Sequence, residues 1–184
     1  MDNKALTLGE RLGVTVHISP LRYRLESLAR AFPLGKNEVL EDWLVRVANA
    51  RGARIVTAAT PSPHGRNIPS VRELPDEELA VALVQLQCLD RPQMLRLAAQ
   101  IVSRGNIDLP RLILAARRER VERIFAELAR QALRVSPSHP LWESLQAAFG
   151  NAPSLREPLL HWTRIAQPVM KSGRCNAERW ELVA

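Results

Sequence analysis

In the first 60 residues, the spacing of apolar side chains changes from β-type to helical and back again. Residues 14–18 alternate apolar and polar positions with β-branched side chains, which predicts a short strand, and residues 54–60 predict a second one. Between the strands, apolar side chains recur at helical spacing over residues 19–33 and again over residues 37–52. The pattern predicts a small β-α-α-β unit over residues 1–60.

A loop rich in proline and glycine, residues 61–74, separates this unit from the rest of the chain. Three prolines and one glycine fall within its first ten residues, a composition that favours loops over helices and strands. The segments that follow show helical spacing, which predicts a helical bundle over residues 75–167 and a C-terminal tail over residues 168–184. We therefore expect a mainly α protein, α+β at most, in which the β-α-α-β unit packs on the bundle.

Two helices of the predicted bundle have unusual patterns. Residues 79–88 contain only Gln85 and Gln87 as strongly polar side chains, so this helix should be buried on both sides. The longest predicted helix starts after Asp108 and continues to about Arg134. Shorter helices are predicted after Asp90, over residues 141–149 and over residues 154–165.

Arg117 projects into the apolar stripe of the longest predicted helix. A buried guanidinium is costly unless it is paired, so we expect a structural, buried charge at Arg117 with a carboxylate partner from residues 73–90. A functional anion site at Arg117 is the alternative. Ala115, Ala126 and Ala129 form a second strip of small side chains, which permits close packing against another helix or another subunit.

The charge of the chain is strongly positive and unevenly distributed. Its formal net charge is +7, and arginine outnumbers lysine by 23 to 3. Residues 1–72 carry a net charge of +5, residues 73–110 a net charge of −3, and residues 111–134 a net charge of +4. This distribution either favours a polyanionic partner or is neutralised within the fold, and a coding bias towards arginine is a further source of the excess.

The residue types that carry catalysis or bind cofactors show no recognisable spacing. The chain has no glycine-rich phosphate-binding motif, and its four histidines and two cysteines lack metal-ligand spacing. The acids of residues 73–78 suggest a metal cluster, but their place at a helix start explains them through the helix dipole. We expect no cofactor, no metal and no enzymatic activity. Two cysteines, no secretory signal and no apolar run near about 20 residues predict a cytoplasmic protein without membrane contact.

Basic side chains of the N-terminal unit are the candidate binding residues. Several lie away from the apolar stripe of their helix, and an interleaved aromatic side chain offers a surface on which a base can stack. The candidates are Arg22, Tyr23, Arg24, Arg30, Arg51, Arg54 and Arg66. The alternative is a solvated face with intrahelical pairs such as Arg22 with Glu26. A helix-turn-helix interpretation is disfavoured because Glu38, Glu41 and Asp42 open the second helix and would repel phosphates.

These observations predict a non-catalytic basic protein, an accessory or regulatory factor that binds the phosphate backbone of DNA or RNA. The alternative is a helical adaptor that binds another protein in a larger complex. A homodimer is expected as well, because two short strands leave unpaired edges and the longest helix has more apolar surface than one neighbour covers. Binding to nucleic acid should weaken steeply with salt, whereas binding through an apolar adaptor interface should not.

Overall fold

The computed structural model of the chain describes residues 19–32, 39–53, 68–85, 92–103 and 106–153. These residues form α-helices and contain no strand, which confirms a mainly α protein for the described part. The helices are α1 (Pro20–Ala31), α2 (Leu40–Ala50), α3 (Asp76–Leu83), α4 (Pro92–Ser103), α5 (Leu109–Arg118), α6 (Glu122–Val135) and α7 (Pro140–Phe149). Both predicted strands, the predicted helix over residues 154–165 and the tail lie outside the described residues.

Short polar side chains cap two helices where the sequence predicts them. Oγ of Ser19 accepts a hydrogen bond from the backbone N–H of Arg22 at 2.9 Å, and Pro20 follows as the first residue of α1. Asp108 caps α5 in the same way and accepts a hydrogen bond from the N–H of Arg111 at 3.1 Å. Because each cap satisfies an N–H that has no partner inside the helix, the local sequence determines where both helices start.

Helix α3 is the centre of the structure. All side chains of residues 79–85 are buried, and α3 contacts α1, α2, α4 and α5. Its acidic residues are confined to the first turn, where Asp76, Glu77 and Glu78 lie at the positive end of the helix dipole. Burial on both sides is confirmed for residues 79–85, but α3 ends at Leu83, so residues 84 and 85 of the predicted helix form a turn. Residues 86–88 lie outside the described residues.

The helices on both sides of the predicted linker share one apolar core. Trp43 of α2, Met94 of α4 and Trp142 of α7 belong to the same buried cluster as the side chains of α3. The end of the predicted linker joins this core through the buried Leu74, whereas residues 61–67 lie outside the described residues. The buried side of α4 is the predicted one, with Met94, Leu97, Ala98, Ile101 and Val102.

The longest predicted helix is not continuous, so the prediction of one helix from residue 109 to about residue 134 is wrong. Helix α5 ends at Arg118, and α6 begins at Glu122. Apolar side chains continue at helical spacing on both sides of the break, and neither proline nor glycine marks it. The proline and glycine signals that usually end a helix are therefore missing at this position. The helix ends here through the backbone hydrogen bonds of the turn.

The turn after α5 is a Schellman motif with an unusual residue in it. Arg120 has a φ of 59°, in the left-handed region. Its N–H donates to the carbonyl oxygen of Arg117 at 3.1 Å, and the N–H of Val121 donates to the carbonyl oxygen of Ala116 at 2.9 Å. This pair of hydrogen bonds ends a helix, and glycine is the usual residue at the left-handed position.

Helix α2 ends with the same motif and the usual residue. Gly52 has a φ of 87°, and its N–H donates to the carbonyl oxygen of Asn49 at 2.9 Å. The N–H of Ala53 donates to the carbonyl oxygen of Ala48 at 3.0 Å. The predicted end of this helix at Gly52 is confirmed, and the comparison shows that Arg120 accepts a conformational cost that glycine avoids.

Replacing Leu79 with alanine should lower the free energy of unfolding by about 2–5 kcal/mol, because a fully buried side chain at the centre of the core is lost. The matched control is Leu114→Ala on α5, where the side chain is 70% exposed. Its effect should stay within about 0.5 kcal/mol. Urea unfolding followed by circular dichroism measures both variants, and equal losses would contradict the central position of α3.

Candidate functional site

Two arginines of the predicted binding face are ion-paired with the acidic start of α3. Arg24 donates to the carboxylate of Glu78 and to the backbone carbonyl oxygen of Glu73. Arg51 donates from Nη1 to Oδ1 of Asp76 at 2.6 Å. Both guanidinium groups are thus occupied within the chain, and the basic N-terminal segment and the acidic segment after it neutralise each other at this contact.

Arg22 is also paired with carboxylates, which belong to α1 and α2. Its Nε donates to Oε1 of Glu26 at 3.1 Å, and its Nη1 lies 3.6 Å from Oε1 of Glu41. The first contact is the intrahelical pair that the sequence predicts as the alternative to a binding face. Such partly exposed pairs contribute little to stability, but they reduce the charge that a phosphate would meet.

The remaining predicted binding residues are divided between the described and the undescribed parts of the chain. Tyr23 and Arg30 lie on the exposed side of α1. Arg54 and Arg66 lie outside the described residues. Since three of the five described candidates are paired with carboxylates, they do not present a free basic surface together.

The acidic residues around the start of α3 have partners within the fold. Glu73 accepts hydrogen bonds from the backbone N–H and from Oγ of Ser70 at 2.7 and 2.8 Å, and these two bonds, the backbone one above all, lower the pKa of its carboxyl. Glu77 accepts a hydrogen bond from the N–H of Asp108 at 2.7 Å and so connects α3 to the start of α5. Within the described ranges, no three His, Cys, Asp or Glu side chains are placed to hold a metal ion.

A buried carboxylate that the sequence pattern does not single out, Glu119, joins three parts of the fold. Its Oε1 accepts a hydrogen bond from the N–H of Leu21 at 3.0 Å. Its Oε2 accepts from Oγ of Ser19 at 2.5 Å and from Nε2 of Gln85 at 3.3 Å. We name these four residues the Glu119 clasp, because they hold the start of α1 and the end of α3 against the turn after α5.

The clasp places the carboxylate of Glu119 at the N-terminus of α1, which is the positive end of the helix dipole. The first N–H groups of a helix have no partner inside the helix and carry the positive end of its dipole. Glu119 satisfies one of them at Leu21, and Nε of Arg118 lies 3.4 Å from the same carboxylate oxygen. Because the buried carboxylate has three hydrogen-bond donors and a counter-charge, its removal from water is compensated.

Arg117 is exposed, so the predicted buried charge at this position is wrong. The apolar stripe that included Arg117 assumed one continuous helix, and the break after Arg118 changes the orientation of the residues that follow. The buried side chains of α5 are Leu112, Ala115 and Ala116. The guanidinium carbon of Arg117 lies 5.9 Å from the ring centroid of Phe149, so Arg117 covers an aromatic side chain of α7.

The exposed side of α5 carries a row of arginines. This side presents, at helical spacing, Arg111, Leu114, Arg117 and Arg118, and the exposed Arg120 follows in the turn. We name these five residues the arginine face. Arg118 lies next to the carboxylate of the clasp, whereas the other three arginines have no carboxylate partner among the described residues. None of the three has to give up a carboxylate to meet an anionic partner, and Arg117 also covers the ring of Phe149.

No family model, no curated protein and no solved structure matches this chain. Across the ranges that the structure describes, none of the helices is both long and apolar enough to cross a membrane. The described residues form a helical protein with exposed arginines on one side of α5 and in the turn after it. Three of these arginines have no carboxylate partner among the described residues.

Replacing Glu119 with alanine should lower the free energy of unfolding by about 3 kcal/mol or more, because the N–H of Leu21 and the hydroxyl of Ser19 lose their acceptor in a buried place. Gln85 keeps a partner, since its Nε2 also donates to Oγ of Ser19 at 2.9 Å. The matched control is Glu143→Ala, since Glu143 is an exposed glutamate on α7. Its effect should stay within about 0.5 kcal/mol. Urea unfolding of both variants tests this, and a loss at Glu119 as small as the control would mean that the clasp does not hold the helices together.

Replacing Arg117 with alanine should lower the free energy of unfolding by only about 0.5–1 kcal/mol, the usual contribution of an exposed cation–π contact. Arg111→Ala removes an exposed arginine from the same helix side without such a contact, and should have a smaller effect. Thermal unfolding of the two variants makes the comparison. A loss of about 3 kcal/mol or more at Arg117 would instead require a buried ion pair.

Proposed function

We propose that the protein is a non-catalytic basic factor that binds nucleic acid through its phosphate backbone, and that the arginine face makes the contact. The observation that carries the proposal is the group of four arginines on the exposed side of α5 and in the next turn, three of them without a carboxylate partner among the described residues. The planar guanidinium group of arginine matches the geometry of a phosphate. An accessory or regulatory role in the cytoplasm belongs to the same proposal.

The contact is assigned to α5 rather than to the N-terminal basic residues because of their different pairing. A phosphate that binds Arg24 or Arg51 has to replace the carboxylate of Glu78 or Asp76. No such replacement is needed on the arginine face outside Arg118, so binding there keeps the internal ion pairs intact. The net charge of +4 in residues 111–134 points to the same segment.

The conformation of Arg120 supports a role for its side chain. A left-handed backbone costs an L-amino acid roughly 1–2 kcal/mol, and the equivalent position at the end of α2 carries glycine. The turn itself therefore does not require arginine. An exposed positive charge next to Arg117 and Arg118 is what the arginine adds at this position.

The test is the Arg120→Gly variant, because it separates stability from binding. Glycine relieves the left-handed strain, so the free energy of unfolding should rise by about 1 kcal/mol. The affinity for a labelled duplex should fall, and the slope of log K against log salt between about 50 and 200 mM should flatten by about 1. Weaker binding by a more stable variant cannot be attributed to misfolding.

The matched control for this test is Arg134→Ala, which removes an exposed arginine from the far end of α6. It should change the salt slope much less than Arg120→Gly does. Wild-type protein that fails to bind DNA or RNA at about 50 mM salt would refute nucleic-acid binding as a function. Binding whose salt slope is the same in the wild type and in the variants of Arg111, Arg117 and Arg120 would place the contact elsewhere.

A helical adaptor is the second candidate, and Leu114 favours it. This leucine is 70% exposed at the centre of the arginine face. Arginine is one of the residue types that contribute most to protein–protein interfaces, and the exposed leucine beside it adds apolar area that such an interface buries. Self-association, which the sequence predicts, is one form of this alternative, and a contact made through Leu114 would respond weakly to salt.

A further inference from the structure

We infer that the proposed binding surface prefers single-stranded nucleic acid, and that Tyr23 is the platform on which an unpaired base stacks. The inference rests on the proposed function, because it adds a base contact to a surface that holds the backbone. It is argued from the Glu119 clasp. The clasp attaches the first turn of α1, where the exposed Tyr23 lies, to the turn that carries Arg118 and Arg120.

Tyr23 is an exposed aromatic residue that the core does not use. Its side chain is 76% exposed, and it is the single tyrosine of the chain. No ring contact involving it occurs among the described residues. Single exposed apolar residues are common on protein surfaces, so exposure alone indicates little. The argument depends on what lies beside Tyr23.

The clasp determines what lies beside Tyr23. The N–H of Leu21, two residues before Tyr23, donates to Glu119 at 3.0 Å. Nε of Arg118 lies 3.4 Å from the same oxygen of Glu119, and Arg120 is the next residue in the turn. Side chains of a helix lean towards its N-terminus, which for α1 is the end held by the clasp. Tyr23 therefore leans towards the N-terminal end of α1, the end that the clasp attaches to the turn after α5.

The carboxylates near Tyr23 have arginine partners, and Arg22 is shared by two of them. Glu26, one turn further along α1, accepts a hydrogen bond from Arg22 at 3.1 Å, and Arg22 also lies 3.6 Å from Glu41. Glu119 is buried and satisfied by the donors of the clasp. Of the two arginines that flank Glu119, Arg120 is the one without a carboxylate partner among the described residues. A cationic groove edge combined with an exposed ring is the combination by which proteins bind single strands without sequence preference.

Stacking on Tyr23 distinguishes the two forms of nucleic acid. In a duplex both faces of each base are covered by neighbouring pairs, so the ring has no free base face to meet. In a single strand an unpaired base offers its face to the ring while a neighbouring phosphate meets Arg120, which has no carboxylate partner among the described residues. Removing such a stacking ring typically weakens single-strand binding by about five- to a hundredfold.

The experiment measures fluorescence anisotropy of a labelled oligothymidine and of a duplex of equal length with the full chain. Wild type should bind the single strand more tightly. Tyr23→Ala should lose about five- to a hundredfold in affinity for the single strand and less than about twofold for the duplex. Tyr23→Phe should keep the single-strand affinity, because it retains the ring. All three proteins should fold alike, since the side chain lies at the surface.

The remaining outcomes separate this inference from the proposed function. If wild type binds neither probe at about 50 mM salt, the proposed function fails and the inference fails with it. If wild type binds, with a salt slope that Arg120→Gly flattens, but Tyr23→Ala has no effect or weakens both probes equally, only the stacking inference is overturned. An equal or higher affinity of wild type for the duplex overturns it as well.

Discussion

The rest of the described structure depends on one buried carboxylate. Glu119 lies in the turn after α5, and its partners Ser19 and Leu21 are about a hundred residues away in sequence, with separations of 100 and 98. A charge of this kind is tolerated in a protein interior only where donors surround it. The start of α1 and the amide of Gln85 supply those donors, so a single electrostatic requirement connects the turn, α1 and α3. Glu119 reaches α1 from the turn that ends α5, so the break between α5 and α6 and the clasp occur at the same residues.

The arginines of this fold include some that are paired within the chain and others that are exposed on α5 and in the turn after it. Carboxylates at the start of α3 form ion pairs with Arg24 and Arg51. These arginines of the N-terminal segment therefore connect α1 and α2 to α3. Among the described residues, the arginine face is a group of positive charges that stays available, because three of its four arginines have no carboxylate partner. A large net charge is therefore a weak guide to a binding surface until the pairing of each arginine is known. An i,i+4 pair can be identified from the sequence, whereas a pair between two helices depends on the tertiary fold.

The sequence predicts what depends on local physics and misses what depends on tertiary contacts. The caps Ser19 and Asp108, the end of α2 at Gly52 and the buried side of α4 follow from short-range signals, and the structure confirms them. The break after α5 has no such signal, because an arginine adopts the conformation that glycine usually marks. The error at Arg117 follows directly, since the phase of an apolar stripe is valid only within one helix. Glu119 lies between arginines in the sequence, where a glutamate is expected at the surface. Its burial depends on Ser19 and Leu21, which lie at the start of the described residues.

Two adjacent residues, Glu119 and Arg120, both depart from the usual preference of their residue type. Glu119 is a buried charge, and Arg120 is a left-handed residue other than glycine. Each carries a cost that a simpler sequence would avoid, and proteins usually retain such costs where the fold or a site requires them. The burial of Glu119 has a structural explanation in its three donors. Arg120 has no structural partner among the described residues, so the fold leaves its cost unexplained. Under the proposed function, the positive charge at that point on the surface accounts for it, because Arg120 then contacts a phosphate.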